Sequence, residues 1–198
     1  MSAPIAKKLT PDEYLALERV ASSKSEYWHG QVFAMAGSTE NHDLICSNLS
    51  RFIQNRLAGS PCRVFSSNMK VGATKKSGFA YPDLTVACGE RHFYDDVRDV
   101  LTNPAVLFEV LSDSTRAFDQ GEKFREYQRL DSVRHYVVVE QSRREVAHYE
   151  RSDGHRWTYE LLDAPEASLR LEALGIDLPL AEIYHEIEFV PVEQDPDQ

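Results

Sequence analysis

Cysteine is scarce in this chain and badly placed for cross-linking. The 198 residues hold three, Cys46, Cys62 and Cys88, with no CxxC pair among them. An odd, scattered set argues against a disulfide framework and against a structural zinc centre. The expectation is three small apolar residues in a reducing compartment. The seven histidines have no HxxxH spacing, so the usual helical zinc pattern is missing. No apolar run approaches the roughly 20 residues of a membrane-spanning helix. The opening Met1–Lys8 is too short and too polar for a secretory signal. A cytoplasmic protein with no membrane partner is therefore expected.

Other signatures are absent as well. The nine glycines form neither a phosphate-binding loop nor a GxGxxG fingerprint. Ser112 and Ser114 are outside any GxSxG elbow, which leaves a serine hydrolase without support. No internal repeat or low-complexity linker divides the chain. A single domain over residues 8–190 follows, with flexible termini at 1–7 and 191–198. Positive charge is also in short supply. The net charge is −10, which counts against a nucleic-acid partner. Six of the acids fall in residues 182–198, which have no Lys or Arg. The middle of the chain carries Arg63, Lys70, Lys75, Lys76, Arg116, Lys123, Arg125, Arg129 and Arg134, either a locally basic groove or ordinary solvated charges.

What is present is an ordered alternation of elements. Thr10-Pro11-Asp12-Glu13 is a capping box with Pro at the first helical position, and the helix is expected to reach about Ala21. Two short strands follow around His29-Gly30. A helix from about Glu40 to Leu57 buries Leu44, Ile45, Leu49, Phe52, Ile53 and Leu57 on one face and turns Asn48, Arg51 and Asn55 outward. Cys62–Gly72 and Phe79–Cys88 are extended. A short helix is expected near Tyr94–Leu101, and Pro104–Leu111 reads as a central strand. A helix to about Leu130 follows, then a meander from His135 to Leu162, and finally a short strand and a short helix around Leu180–Ile187. The order implies an α/β fold, a mixed central β-sheet flanked by helices.

The chemistry concentrates between Tyr81 and Tyr127. Asp83 opens one apolar strand and Glu109 interrupts another, Val106-Leu107-Phe108-Glu109-Val110-Leu111. A carboxylate in a buried strand is costly unless it is paired, protonated or bound to a cation. Strand alternation puts Asp83 with Thr85 and Ala87, and Glu109 with Leu107 and Leu111. If the strands are neighbours with those faces aligned, the two acids converge. With the Val110 carbonyl and water they would make an oxygen-rich site suited to Mg²⁺ or Mn²⁺. Asp119 and Lys123, four residues apart on the next helix, read either as a surface ion pair or as a lysine turned toward those acids. Tyr127 is expected to face the core.

Pro82-Asp83 followed by Glu109-Val110-Leu111 resembles the PD-(D/E)XK nuclease pattern, with Leu111 in the place of the motif lysine. The wider series resembles the putative restriction-endonuclease domain family of that superfamily over roughly residues 8–185. It comprises Lys24-x-Glu26-Tyr27-x-x-Gly30, Met35-x-Gly37 with His42, Tyr81-Pro82-Asp83-Leu84, Glu109-Val110-Leu111-Ser112-Asp113-Ser114-Thr115, Asp119-x-x-x-Lys123-x-x-x-Tyr127 and Tyr136-Val137-Val138-Val139. The resemblance implies a restriction-endonuclease-like core and a metal-dependent nuclease acting on DNA. Asp83, Glu109 and the Val110 carbonyl would hold Mg²⁺ or Mn²⁺. Lys123 would be the displaced catalytic lysine, and Glu26 and His42 would line the site. A homodimer is the natural form for cutting both strands of a duplex. A binding or regulatory module on the same fold is the alternative.

Overall fold

The computed structural model describes residues 8–35, 37–72, 78–112, 116 and 119–189. Helix α1 (Pro11–Glu18) starts at the expected capping box, in which Thr10 and Glu13 satisfy each other's backbone N–H groups. It stops three residues short of Ala21. Strands β1 (Ser25–Trp28) and β2 (Gln31–Ala34) form a hairpin. His29 (φ 50°) and Gly30 (φ 93°) make its turn, and this left-handed pair matches the twist of the flanking strands. Helix α2 (Glu40–Arg56) is capped by Thr39 and buries Ile45, Leu49, Phe52 and Ile53. Each such side chain contributes about 1.5–3 kcal/mol of apolar burial.

Strands β3 (Cys62–Ser66), β4 (Lys70–Gly72), β5 (Gly78–Ala80), β6 (Leu84–Cys88), β7 (Val100–Leu101) and β8 (Val106–Leu111) follow. No helix forms near Tyr94–Leu101. The segment folds back on itself instead, with Tyr94 N–H bonded to Val100 O, Thr102 N–H to His92 O, and Arg98 at φ 60° in the turn. Arg19 holds the loop from outside through Asp95 and Asp99. Its acids thus serve as anchors for another element, so their polarity does not mark a helix face.

After β8 the chain forms a π turn, Asp119–Lys123, which runs into helix α3 (Phe124–Tyr127). Strands β9 (His135–Glu140), β10 (Val146–Asp153) and β11 (Arg156–Leu162) form the meander. Strands β12 (Ser168–Leu171) and β13 (Ile176–Pro179) pair as a second hairpin before helix α4 (Leu180–Ile183). The end of the domain therefore holds one strand more than expected.

Six strands form the central sheet in the order β11-β10-β9-β8-β6-β3, with β8 and β9 parallel and the other neighbours antiparallel. Five others form a smaller sheet, β2-β1-β5-β4-β7. The central sheet is covered on both faces. Val106, Phe108 and Val110 pack with α2, β12, β13 and α4. Leu107 and Leu111 pack on the opposite side with Tyr127, Leu130, Trp28, Val71 and Ala80, which come from α3 and the smaller sheet. The outward face of α2 is covered too: Asn48 donates to the Ile183 and His185 carbonyls, and Arg51 pairs with Glu182.

Cys62 and Cys88 are joined in a disulfide, which corrects the expectation of three free thiols. The two residues stand directly opposite in the β3–β6 register. They are 26 positions apart in sequence, so no local spacing announces the pair. Cys46 remains free.

Arg151 fixes the end of the helix that carries the site. Its guanidinium donates to the Gln128, Leu130, Val133 and Gly154 carbonyls and lies 4.5 Å from the Trp157 ring. These bonds satisfy carbonyls that a helix end leaves orphaned. Arg151→Ala is expected to lower the unfolding free energy by about 3 kcal/mol, read from urea midpoints; a loss under about 1 kcal/mol would show that water replaces the guanidinium at no cost.

Candidate active site

The acids and the lysine come from four separate elements. Asp83 is the residue before β6, Glu109 lies in the middle of β8, Glu26 is on β1 of the smaller sheet, and Lys123 closes the π turn. Leu84 pairs with Phe108 and Thr85 with Leu107, so the alternation of both strands brings Asp83 and Glu109 to the same face. The Val110 N–H donates to Asp83 Oδ2 at 2.7 Å, which fixes that carboxylate beside the β8 backbone. On an antiparallel strand the N–H and C=O of one residue face the same neighbour. The Val110 carbonyl therefore also points to the Asp83 side.

Lys123 faces inward. Its Nζ is 2.9 Å from Asp119 Oδ1, 3.1 Å from Glu26 Oε1 and 3.3 Å from Glu109. The Asp119–Lys123 pair exists, but it is buried and not on the surface. Lys123, Glu109, Asp119 and Glu26 are only 5%, 3%, 2% and 7% exposed. Asp119, Lys123 and Tyr127 recur every four residues and present one stripe to the sheet. The Tyr127 hydroxyl donates to Glu109 Oε1 at 3.3 Å. Glu26 is held from two further sides, by the Tyr81 N–H at 3.1 Å and the Trp28 indole N–H at 3.3 Å.

Among the described residues the charges do not balance. Glu26, Glu109 and Asp119 meet one ammonium, and Asp83 stands next to them. Burial pushes the Glu109 carboxyl well above the ordinary carboxylate range; Lys123 opposes this, while Asp119, Asp83 and Glu26 reinforce it. Burial would also strip the proton from Lys123, but Glu109, Glu26 and Asp119 outweigh it and hold the ammonium charged. Tyr127 is pushed well above its usual range by burial and by Glu109, so its phenol stays a donor.

His42, in the first turn of α2, lies on the other side of Asp83. Its Nε2 is 3.4 Å from Asp83 Oδ1, and its Nδ1 is 3.7 Å from Cys46 Sγ. Burial opposes protonation of His42, and the neighbouring Asp83 carboxylate outweighs it, so its pKa is raised. Of the five residues singled out in the sequence, Glu109 and Glu26 thus meet at Lys123, and Asp83 with His42 adjoins them through the backbone N–H of Val110. Sequence reasoning treated Asp119 only as a partner of Lys123 and gave Cys46 no place near the site. For Cys46 a signal was there: His42-x-x-x-Cys46 puts imidazole and thiol on one helical face.

Of the two readings of the basic residues, a locally basic groove or ordinary solvated charges, the groove loses several members to pairing. Lys70 is buried on Asp99, Arg116 pairs with Glu140, Arg129 with Glu126, and Arg63 bonds to backbone carbonyls. Lys75 and Lys76 lie outside the described residues.

The model of the Uma2 family, described as "Putative restriction endonuclease", matches residues 11–181. This chain belongs to the Uma2 family. Two relatives come from the cyanobacterium Synechocystis sp. The protein slr1290 is 33% identical over 188 residues, which cover 95% of this chain and 97% of that protein. The protein sll1609 is 30% identical over 176 residues, covering 89% and 99%. Among solved structures, a putative nuclease of DUF820 from Anabaena variabilis superposes with a TM-score of 0.73 over 89% of this Uma2 chain and 97% of its own, at 17% identity. At that identity the likeness speaks for the fold, which is the restriction-endonuclease-like α/β core expected from the sequence. Family and fold together support a nuclease in general terms. Among the described residues, no helix is long and apolar enough to cross a membrane.

Proposed function

We propose that this Uma2 protein is a Mg²⁺- or Mn²⁺-dependent nuclease that hydrolyses DNA phosphodiester bonds at Asp83, Glu109 and Lys123. The observation that carries the proposal is the Lys123 ammonium within 3.3 Å of Glu109, on a strand whose next backbone N–H holds Asp83. The side chains present fit a hard dication. Two carboxylates and the Val110 carbonyl supply oxygen donors, and the excess of acids over the one lysine supplies the charge. A bound dication would polarise a phosphoryl oxygen and acidify a water.

The chain's own groups carry the remaining work. The Lys123 Nζ stabilises the negative charge that builds on the phosphoryl oxygens, in a site where burial makes that interaction stronger than in water. Glu26 and Asp119 position Lys123, which lets a lysine on the helix replace one at Leu111. The Tyr127 hydroxyl orients Glu109. The Val110 N–H and His42 orient Asp83, and His42 is placed to hand a proton to the departing oxygen. Cutting both strands of a duplex calls for two such sites, hence two copies of the chain.

Calorimetric titration with MnCl₂ and cleavage of plasmid DNA with and without EDTA test the proposal. The wild type is expected to bind Mn²⁺ and to nick DNA only when the metal is present. Asp83→Asn keeps a carbonyl oxygen for the Val110 N–H, so it is expected to stay folded and to bind Mn²⁺ at least about tenfold more weakly. Wild-type protein that binds no Mn²⁺ and leaves DNA intact would favour a non-catalytic module on this fold, the reading that Leu111 in the motif lysine's place supports.

A further inference from the structure

We propose that His42, Cys46 and Asp83 form a second cation site, one for a thiophilic dication such as Zn²⁺, and that filling it withdraws Asp83 from the first. With one atom from each residue, the three potential ligand atoms lie within 4.8 Å of one another. Tetrahedral zinc with sulfur, nitrogen and oxygen ligands separates them by about 3.3–3.6 Å. The carboxylate lies 3.4 Å from Nε2 and the thiol 3.7 Å from Nδ1, so each partner is near that spacing, but through a different ring nitrogen. Side-chain rotations of about 1 Å would bring one ring nitrogen into range of both partners.

His42 and Cys46 are four apart on α2, a regular 17-residue helix, so the ring and the sulfur are presented rigidly on one face. All three residues are half-buried, which leaves water a way in as the fourth ligand. Asp43 and Glu109 add negative charge around the sulfur. The ligand chemistry separates the two sites. Sulfur and imidazole favour zinc over magnesium, whereas the Glu109 side of Asp83 offers only oxygen. On binding, the Cys46 S–H bond breaks, its proton leaves to solvent and a sulfur–metal bond forms; no oxidation is involved. Asp83 is common to both sites, and one carboxylate oxygen already bonds to Val110. A zinc ion on the other oxygen would therefore compete with the hydrolytic cation. That consequence rests on the nuclease reading, and the binding itself does not.

CoCl₂ and ZnCl₂ added to the full-length protein decide the matter. Co²⁺ is expected to give a near-ultraviolet thiolate-to-cobalt charge-transfer band in the wild type. The band should persist in Glu109→Gln and disappear in Cys46→Ser. Zn²⁺ affinity should fall at least about tenfold in Cys46→Ser and also in His42→Gln, where the thiol is still present. Pre-loading the wild type with Zn²⁺ should weaken Mn²⁺ binding by at least about tenfold. No band in the wild type, or equal Zn²⁺ affinity in wild type and Cys46→Ser, would overturn the site. Mn²⁺ binding indifferent to Zn²⁺ would overturn the sharing of Asp83. A protein that takes Zn²⁺ as described but never Mn²⁺ would instead remove the nuclease reading and leave this site standing.

Discussion

Glu109→Gln is expected to lower metal-dependent DNA cleavage by roughly a hundredfold or more, while leaving the protein folded and more stable in alkaline solution than the wild type. Gln keeps the length and one acceptor oxygen for the Tyr127 hydroxyl, but it removes the carboxylate that a cation needs. The stability arm has a definite sign. The folded protein holds the Glu109 proton more tightly than the unfolded chain does. The stability this group contributes is complete below the unfolded carboxyl pKa of about 4.3 and is lost as pH rises toward the raised folded value. The amide has no such loss. Urea midpoints for the two proteins, measured in EDTA at a series of pH values from 5 upward, should therefore diverge in favour of Glu109→Gln. Parallel midpoints would show that Glu109 is not strained by its burial. Undiminished cleavage would remove it from the chemistry altogether.

Lys123→Met should be the more damaging change. Among the described residues it removes the only ammonium between Glu26, Glu109 and Asp119, and breaking a buried charge pair costs about 3–5 kcal/mol. Lys123 is the group that opposes the raised Glu109 pKa, so without it Glu109 keeps its proton to higher pH. The deficit against the wild type should therefore be smallest in mild acid and grow as pH rises. Cleavage should fall by roughly a hundredfold or more at a temperature where thermal melts show both proteins folded. Lys123→Arg tests geometry as well as charge. The charge is kept, but a planar fork must replace a point charge in a space already filled by three carboxylates and Tyr127. Activity restored by Arg would mean that only the charge matters. Full activity in Lys123→Met would make the lysine a structural counter-ion.

The two results bear on the same tension. A core that collects three acids around one lysine, with a fourth beside them, is poor engineering for stability, because desolvated charges are repaid only by good pairing. The neighbourhood is otherwise well satisfied: Asp83 by the Val110 N–H, Glu26 by Tyr81 and Trp28, Glu109 by Tyr127. The bonds that hold these carboxylates in place leave the excess negative charge uncancelled. An arrangement that orients acids without neutralising them is suited to a positively charged ligand.

Much of this was readable from local pattern. The capping box at Thr10–Glu13, the turn at His29-Gly30 and the helix from Glu40 are written in neighbouring residues and appear as expected. Strand alternation put Asp83 on a face with Thr85 and Ala87, and Glu109 on one with Leu107 and Leu111, because side chains on a strand repeat every two residues whatever the strand packs against; the β6–β8 register then brought the two faces together. Local pattern failed where a polar segment is held from a distance. The loop Gly89–Asn103 resembles a helix in composition, but its acids are tied to Arg19 and Lys70. Cys62 and Cys88 meet only because β3 and β6 are neighbours.

By itself, then, the sequence determined the elements, the mixed α/β class and the two carboxylates set into apolar strands. Only the tertiary structure decided which way Lys123 points. Asp119 and Lys123 are four apart whether they face water or the core, so their spacing is silent on direction. The smaller sheet settles it by packing against the central one and carrying Glu26 to Lys123 across 97 positions of chain. Periodicity reports which face of an element is apolar. What that face meets depends on the order of the strands, and that order placed the lysine among the acids.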